Sequence, residues 1–276
     1  MTDIPRERKA LTAQGLKIRT REQAGFTFDY SDDRAVVEPA HDFFLHVAVV
    51  KAADGTQAGE DKVARFVEEI GIGRFPHTGI SYNALAFQSG RLQEGQPLTR
   101  RGAHTINDYH LTTCPTHGGS LLGPTGDAWN LNYSVRALCL PQMPDDPVTD
   151  PQLRAAGKWA AALIRAGLAA PGARWHGHKD VANKECPGRA YRLIGLLMTY
   201  TRYYMTVGLL PTTPTGGDMQ FTDPVPGAAP DPDGSVVTVG EALNRGNWAY
   251  RNGPIEGSYT DQRLDNHEKR LDALEA

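Results

Sequence analysis

The order of hydrophobic and polar positions changes several times along the chain, and each change marks an expected element. Residues 1–40 are mostly polar, with one alternation in GFTFDY that predicts a short strand. In HDFFLHVAVV, from His41, the chain turns apolar, and a buried strand is expected over about 43–50. Val63, Phe66, Val67 and Ile70 return at helical spacing and predict a helix over about 59–70 that buries those four side chains. Further strands are expected near 80–88, 91–95 and 132–140. A long helix should open behind Asp150 as its cap, with Pro151 in the first helical position, and turn Leu153, Trp159, Leu163 and Ile164 inward. Gly167 or the Pro171-Gly172 pair should end it. Trp175 to Gly188 reads as an irregular segment, and a last helix follows Pro187. The apolar stretch from Leu193 contains Arg202 and several tyrosines, which suits a helix docked on the core rather than a membrane span. Alternating strands and helices place the chain in the α/β class.

That pattern breaks after Leu210. Pro211, Pro214, Pro224, Pro226, Pro230 and Pro232, interleaved with Gly216, Gly217 and Gly227, predict a Pro/Gly-rich linker over 211–235. Beyond it, residues 236–276 are expected to form a short helical unit in which Leu264, Leu271 and Leu274 fall at coiled-coil spacing among charges. The run is too short to separate self-association through this C-terminal helix from a frayed amphipathic tail. The expected organisation is an N-terminal extension over 1–40, a core domain over 41–210, the linker, and the C-terminal unit. No internal repeat is visible.

Composition narrows the function classes. With 276 residues, 40% of them hydrophobic and 22% charged, the chain suffices for one sizeable core plus appendages. A net charge of -3 gives no support for nucleic-acid binding or for gross electrostatic adhesion to an anionic surface. The odd count of 3 cysteines does not suggest a disulfide framework. The first residues carry positive charge without an apolar core segment, so no secretory signal is expected there.

Candidate chemistry concentrates in WHGHKDVANKECPG. His178 offers an imidazole nitrogen and Cys186 a thiolate, both good zinc ligands, with Lys184 two residues before the thiolate. Pro187 and Gly188 argue for a turn that lets His178 and Cys186 close on one ion. A third ligand is needed, and His46 in the buried strand is the best candidate. Taken singly, a histidine in an apolar strand is more often a satisfied core residue, and a lone cysteine more often simply buried. His110, Cys114 and His117 in DYHLTTCPTHGG also cluster, but their spacing fits no zinc pattern.

Taken together, four blocks resemble the zinc-dependent N-acetylmuramoyl-L-alanine amidases of phage lysozyme type, which share their fold with the peptidoglycan recognition proteins. FFLHVAV is similar to the family's first ligand strand, and SYNALAFQSGRLQEGQPLTRRGAHT to its tyrosine block, hairpin and histidine loop. NLNYSVRALCL resembles the following core strand and GHKDVANKECPG the closing metal loop. The resemblance covers roughly residues 40–200 and implies an α/β fold with a central mixed β-sheet flanked by helices. It implies His46, His178 and Cys186 as ligands of a zinc cofactor, Tyr82 and Lys184 as catalytic residues, and His104 as a substrate-binding residue. Tyr82-Asn83 stands where relatives have tyrosine followed by histidine, and altered substrate contacts are expected there. The stretch from Asn107 to Trp129 is longer than its counterpart.

The implied reaction is hydrolysis of the amide between the muramic acid lactyl group and L-alanine in bacterial peptidoglycan. That amide is unstrained and a poor electrophile, so cleavage needs a strong nucleophile and support for the oxyanion. Zinc acidifies water to a pKa of about 7 and polarises the carbonyl. Lys184 is an extra donor to the oxyanion, useful because a thiolate ligand lowers the metal's effective charge, and the Tyr82 hydroxyl either orients the attacking water or bonds the oxyanion. The resemblance, with the absent signal, suggests a phage endolysin held in the host cytoplasm before lysis. Two other readings stay open: a non-catalytic peptidoglycan recognition module, which typically lacks the cysteine ligand, and a wall-degrading component of a virion.

Overall fold

The computed structural model describes residues 4–27, 36–74, 79–109, 111–113 and 131–207, with no side-chain detail for 4–7 and 207. The expected linker, the C-terminal helical unit and the cluster of His110, Cys114 and His117 lie outside the described residues. Strands β1 (Asp42–Ala48) and β4 (Val135–Pro141) are buried along their whole length and pair in parallel, from Asp42 opposite Val135 to Ala48 opposite Pro141. A strand covered on both faces reads as a nearly continuous apolar run, which is why both were visible in the sequence. With β2 (Ala84–Ala86), β3 (Leu92–Glu94) and β5 (Trp175–Gly177) they form a five-stranded sheet in the order β3-β2-β4-β1-β5. Only the β2–β3 pairing is antiparallel, so the sheet is mixed. The expected irregular segment from Trp175 thus begins as an edge strand.

Alternation along β1 sends Phe43, Leu45 and Val47 to one face and Phe44, His46 and Ala48 to the other. The first face carries the main core, under α4 (Asp150–Arg165) and α5 (Ile194–Val207). Phe43 packs there between Trp159 and Trp175, at ring separations of 5.6 and 5.2 Å. The two helices touch at Gly157, where an added Cβ would stand 2.6 Å from the Tyr200 Cβ. Leu153, Trp159, Leu163 and Ile164 are buried, as their spacing predicts. The cap of α4 is Thr149 rather than Asp150: its hydroxyl accepts from the Gln152 N–H while the Gln152 side chain returns to the Thr149 N–H, a capping box. Among the described residues no helix is long and apolar enough to cross a membrane.

On the second face, α3 (Gln57–Arg74) lays Ala64 and Val67 against Ile80, Leu85, Phe87 and Cys139. Phe66, expected inside, is 50% exposed. The contact stripe is built instead from Glu60, Ala64, Val67, Glu68 and Gly71. Small residues let the helix approach closely, since a Cβ at Gly71 would collide with the Gly79 carbonyl. Glu60 is satisfied by Ser89 and by Arg91 at 2.8 Å, and Glu68 accepts from the Thr27 N–H at 3.2 Å.

The N-terminal residues form α1 (Ile4–Ala13) and α2 (Arg21–Ala24). Leu11 and Leu16 enter the main core, and Arg8 holds Glu94 of β3. Arg19 covers the β3 edge, donating its N–H to Leu92 and accepting from the Glu94 N–H. Gly25, at φ 77°, closes α2, so the strand expected in GFTFDY does not start there; residues 28–30 of it lie outside the described residues.

Candidate metal centre

The shortness of β5 makes the site. On the β5 side of β1 the Phe43 N–H donates to the Arg174 carbonyl, and two-residue alternation puts the Val47 N–H on the same edge. The last strand pair is Leu45 opposite Gly177. Beyond it, the Val47 N–H finds the Cys186 Sγ at 3.4 Å in place of a carbonyl. The chain between turns back through a short helical turn, His178–Asp180, and the Lys179 N–H closes it on the Cys186 carbonyl at 2.9 Å. Gly177 permits this, because a Cβ there would lie 2.6 Å from the Tyr191 ring and 2.8 Å from Pro187. The Asp180 carboxylate pins the turn, accepting from the Gly177 N–H at 3.0 Å and the Tyr191 hydroxyl at 2.6 Å.

His46, His178 and Cys186 are thereby brought together, one ligand atom of each lying within 4.8 Å of the others. The His46 Nδ1 is 3.5 Å from the Cys186 Sγ, and the two imidazole rings are 4.9 Å apart. The His178 Nε2 is buried and makes no hydrogen bond among the described residues, as expected of a nitrogen that serves as a ligand. Burial holds the His46 imidazole well below its ordinary pKa, and the neighbouring His178 and His104 add to this. Burial lowers His178 as well, with Lys184 contributing. It pushes the Cys186 thiol up to about 11. Two neutral imidazoles and one thiol that can surrender its proton to a divalent cation fit zinc, which favours nitrogen and sulfur donors.

The Tyr82 ring lies 5.3 Å from that of His46. Its hydroxyl lies against the Cys139 thiol, on the β4 residue paired with His46. Burial raises the Tyr82 pKa well above its ordinary value, so the phenol stays protonated. Lys184 is exposed on the loop leading to Cys186. His104 is only 6% exposed and stands beside His46, its ring 5.6 Å away and its Nδ1 2.8 Å from the Thr105 hydroxyl. It turns inward because Gly102 leaves room, a Cβ there falling 2.6 Å from the His104 ring. Asn83 is also buried, donating to the Gln96 and Pro97 carbonyls and accepting from the Ala137 N–H, so that departure from the family pattern falls on the framework.

Sequence reasoning missed Thr105, Asn132 and Cys139 around the triad. It also missed His176, buried beside Phe44 with its Nε2 3.4 Å from Asp42. Reading WHGH as a strand would have put His176 and His178 on one face. A separate cavity of about 350 Å³, lined in part by Asp54, Glu60, Phe87 and Ser89, contains none of the predicted site residues.

No family model matches the chain, and no curated protein is significantly similar to it. Solved structures do match. Drosophila PGRP-LB aligns with a TM-score of 0.52 at 18% identity, over 67% of this chain and 94% of its own. Apis mellifera PGRP-SA gives 0.53 at 17%, over 65% and 94%. Peptidoglycan recognition protein LE, solved with tracheal cytotoxin, a monomeric diaminopimelic acid-type peptidoglycan, gives 0.52 at 17%, over 65% and 92%. Identities this low speak to architecture alone, and the architecture is that of the peptidoglycan recognition proteins.

Proposed function

We propose that this chain is a zinc-dependent N-acetylmuramoyl-L-alanine amidase acting on bacterial peptidoglycan. The observation that carries the reading is the convergence of His46, His178 and Cys186 beside Tyr82, in a fold whose solved members include peptidoglycan-fragment complexes. When bound, zinc supplies Lewis acidity toward the scissile carbonyl and an activated water at neutral pH. The histidines stay neutral in their buried setting and are therefore free to ligate. Tyr82, kept protonated, is a donor for the oxygen that gains negative charge as the amide carbon becomes tetrahedral. In the free protein the hydroxyl lies against the Cys139 thiol, a weak hydrogen-bonding partner. Lys184 brings a positive charge on a long stem from the exposed end of the loop.

Cys186 favours an enzyme over a recognition module, since recognition members typically lack that ligand. The endolysin setting, with accumulation in a host cytoplasm before lysis, belongs to the same proposal and rests on the sequence resemblance. Digesting purified wall and identifying the cut bond by mass spectrometry tests the whole. New L-alanine amino termini without new reducing sugar ends are the expected products. Binding to the wall with no cleavage at full zinc occupancy would replace this reading with the recognition module.

A further inference from the structure

We infer that Thr105 is a positioning residue that decides which nitrogen of His46 is offered to the metal, with His104 and Asn132 holding it in place. The inference rests on the metal reading above and adds a role for residues outside the triad. The Thr105 Oγ1 lies 3.1 Å from the His46 Nε2 and 2.8 Å from the His104 Nδ1, and all three side chains are buried. One hydroxyl hydrogen cannot serve both rings. If Thr105 donated to His46, the single proton of that neutral imidazole would sit on Nδ1, the atom facing the Cys186 Sγ, and would block a metal there. If Thr105 donates to His104, its oxygen accepts from the His46 Nε2–H, and Nδ1 presents a lone pair to the centre. The Cys186 thiol favours this second direction, because an S–H can donate to the same Nδ1 lone pair before metal arrives.

Thr105 cannot swing away. The Asn132 Oδ1 accepts from the N–H groups of both His104 and Thr105, at 2.8 and 2.9 Å, and the Asn132 Nδ2 donates to the Thr105 carbonyl at 3.0 Å. A β-branched side chain on that clamped backbone has few rotamers. The His104 Nε2, the far end of the relay, has no hydrogen-bond partner among the described residues, and it carries the ring proton when Nδ1 accepts from Thr105.

The test compares full-length wild type, Thr105→Val and Thr105→Ser by zinc dissociation constant, from competition with a chromophoric chelator, and by the tautomer of His46 in the metal-free protein, from imidazole nitrogen chemical shifts. Wild type should carry its His46 proton on Nε2. Thr105→Val should bind zinc about 10- to 100-fold more weakly and lose that tautomer, whereas Thr105→Ser should stay close to wild type on both counts. Unchanged affinity and tautomer in Thr105→Val would overturn the inference, as would equal losses in Thr105→Ser. If Thr105→Val does not fold, the wild-type tautomer decides: a His46 proton on Nδ1 overturns the proposal. Should wild type bind no zinc, the metal reading falls by itself, and the tautomer comparison still tests the role of Thr105.

Discussion

Strand β1 looks two ways, and its faces are built on opposite terms. Phe43, Leu45 and Val47 meet one continuous core with Trp159, Trp175 and the α4–α5 pair. The opposite face is divided: Ala48 joins the α3 cluster, Phe44 joins a smaller one with Val135 and Val181, and His46 stands between them among polar groups. The first face can therefore carry stability for the second, where buried histidines and a thiol are poor stabilisers unless a ligand satisfies them. Damage to the two faces should separate cleanly.

The largest contrast pits Cys186→Ala against Trp159→Ala. Cys186→Ala should abolish zinc binding and turnover together while leaving the thermal midpoint of the metal-free protein nearly unchanged. Trp159→Ala should cost about 3–5 kcal/mol of stability, read from denaturant midpoints, yet keep zinc stoichiometry near one in the fraction that remains folded. Full zinc occupancy in Cys186→Ala would sink the ligand assignment. A smaller effect within the polar face comes from Tyr82→Phe, which should keep zinc and fold while lowering turnover about 100- to 1000-fold. Near-normal turnover would return Tyr82 to a packing role.

How much of this was legible beforehand follows the same division. Two-sided burial wrote β1 and β4 as apolar runs, and the stripe from Leu153 to Ile164 announced α4. The triad was legible because its residue types are rare in combination and the loop from His178 to Cys186 is short. Its supports were not: Thr105 and Asn132 are ordinary polar residues 27 positions apart, and only tertiary closure makes them partners. The same holds for Asn83, whose amide is consumed by backbone groups of a neighbouring strand and hairpin.

Mild acid, at about pH 6, should act chiefly on the polar face. The folded-state values of His46, His104 and His178 lie below the ordinary 6.5, so the unfolded chain takes up protons first as pH falls. Stability from keeping these rings neutral is complete above pH 6.5 and is lost progressively below it. Urea midpoints of the metal-free protein should drop between pH 7.5 and 5.5, and His104→Gln should flatten the drop. Zinc affinity moves the same way for a separate reason: the Cys186 thiol titrates near 11, so binding at neutral pH releases its proton and apparent affinity should rise about tenfold per unit from pH 7 to 9. A pH-independent zinc affinity over that range would mean that no proton leaves the thiol on binding.

The smallest effect is expected where sequence periodicity pointed the wrong way. Phe66 is the largest apolar side chain of α3, yet half of it is exposed, and the helix meets the divided face through Ala64, Val67 and Gly71. Removing Phe66 opens no cavity, so Phe66→Ser should change the unfolding free energy by no more than about 0.5 kcal/mol. Ala64, fully buried two residues earlier, offers the reverse case: Ala64→Leu forces extra carbons between helix and sheet and should cost about 1–3 kcal/mol. Denaturant midpoints for the pair measure directly whether close approach by small side chains, rather than hydrophobic bulk, seats α3. A Phe66→Ser loss as large as that of Ala64→Leu would mean that the helix docks by the face its hydrophobic pattern suggests.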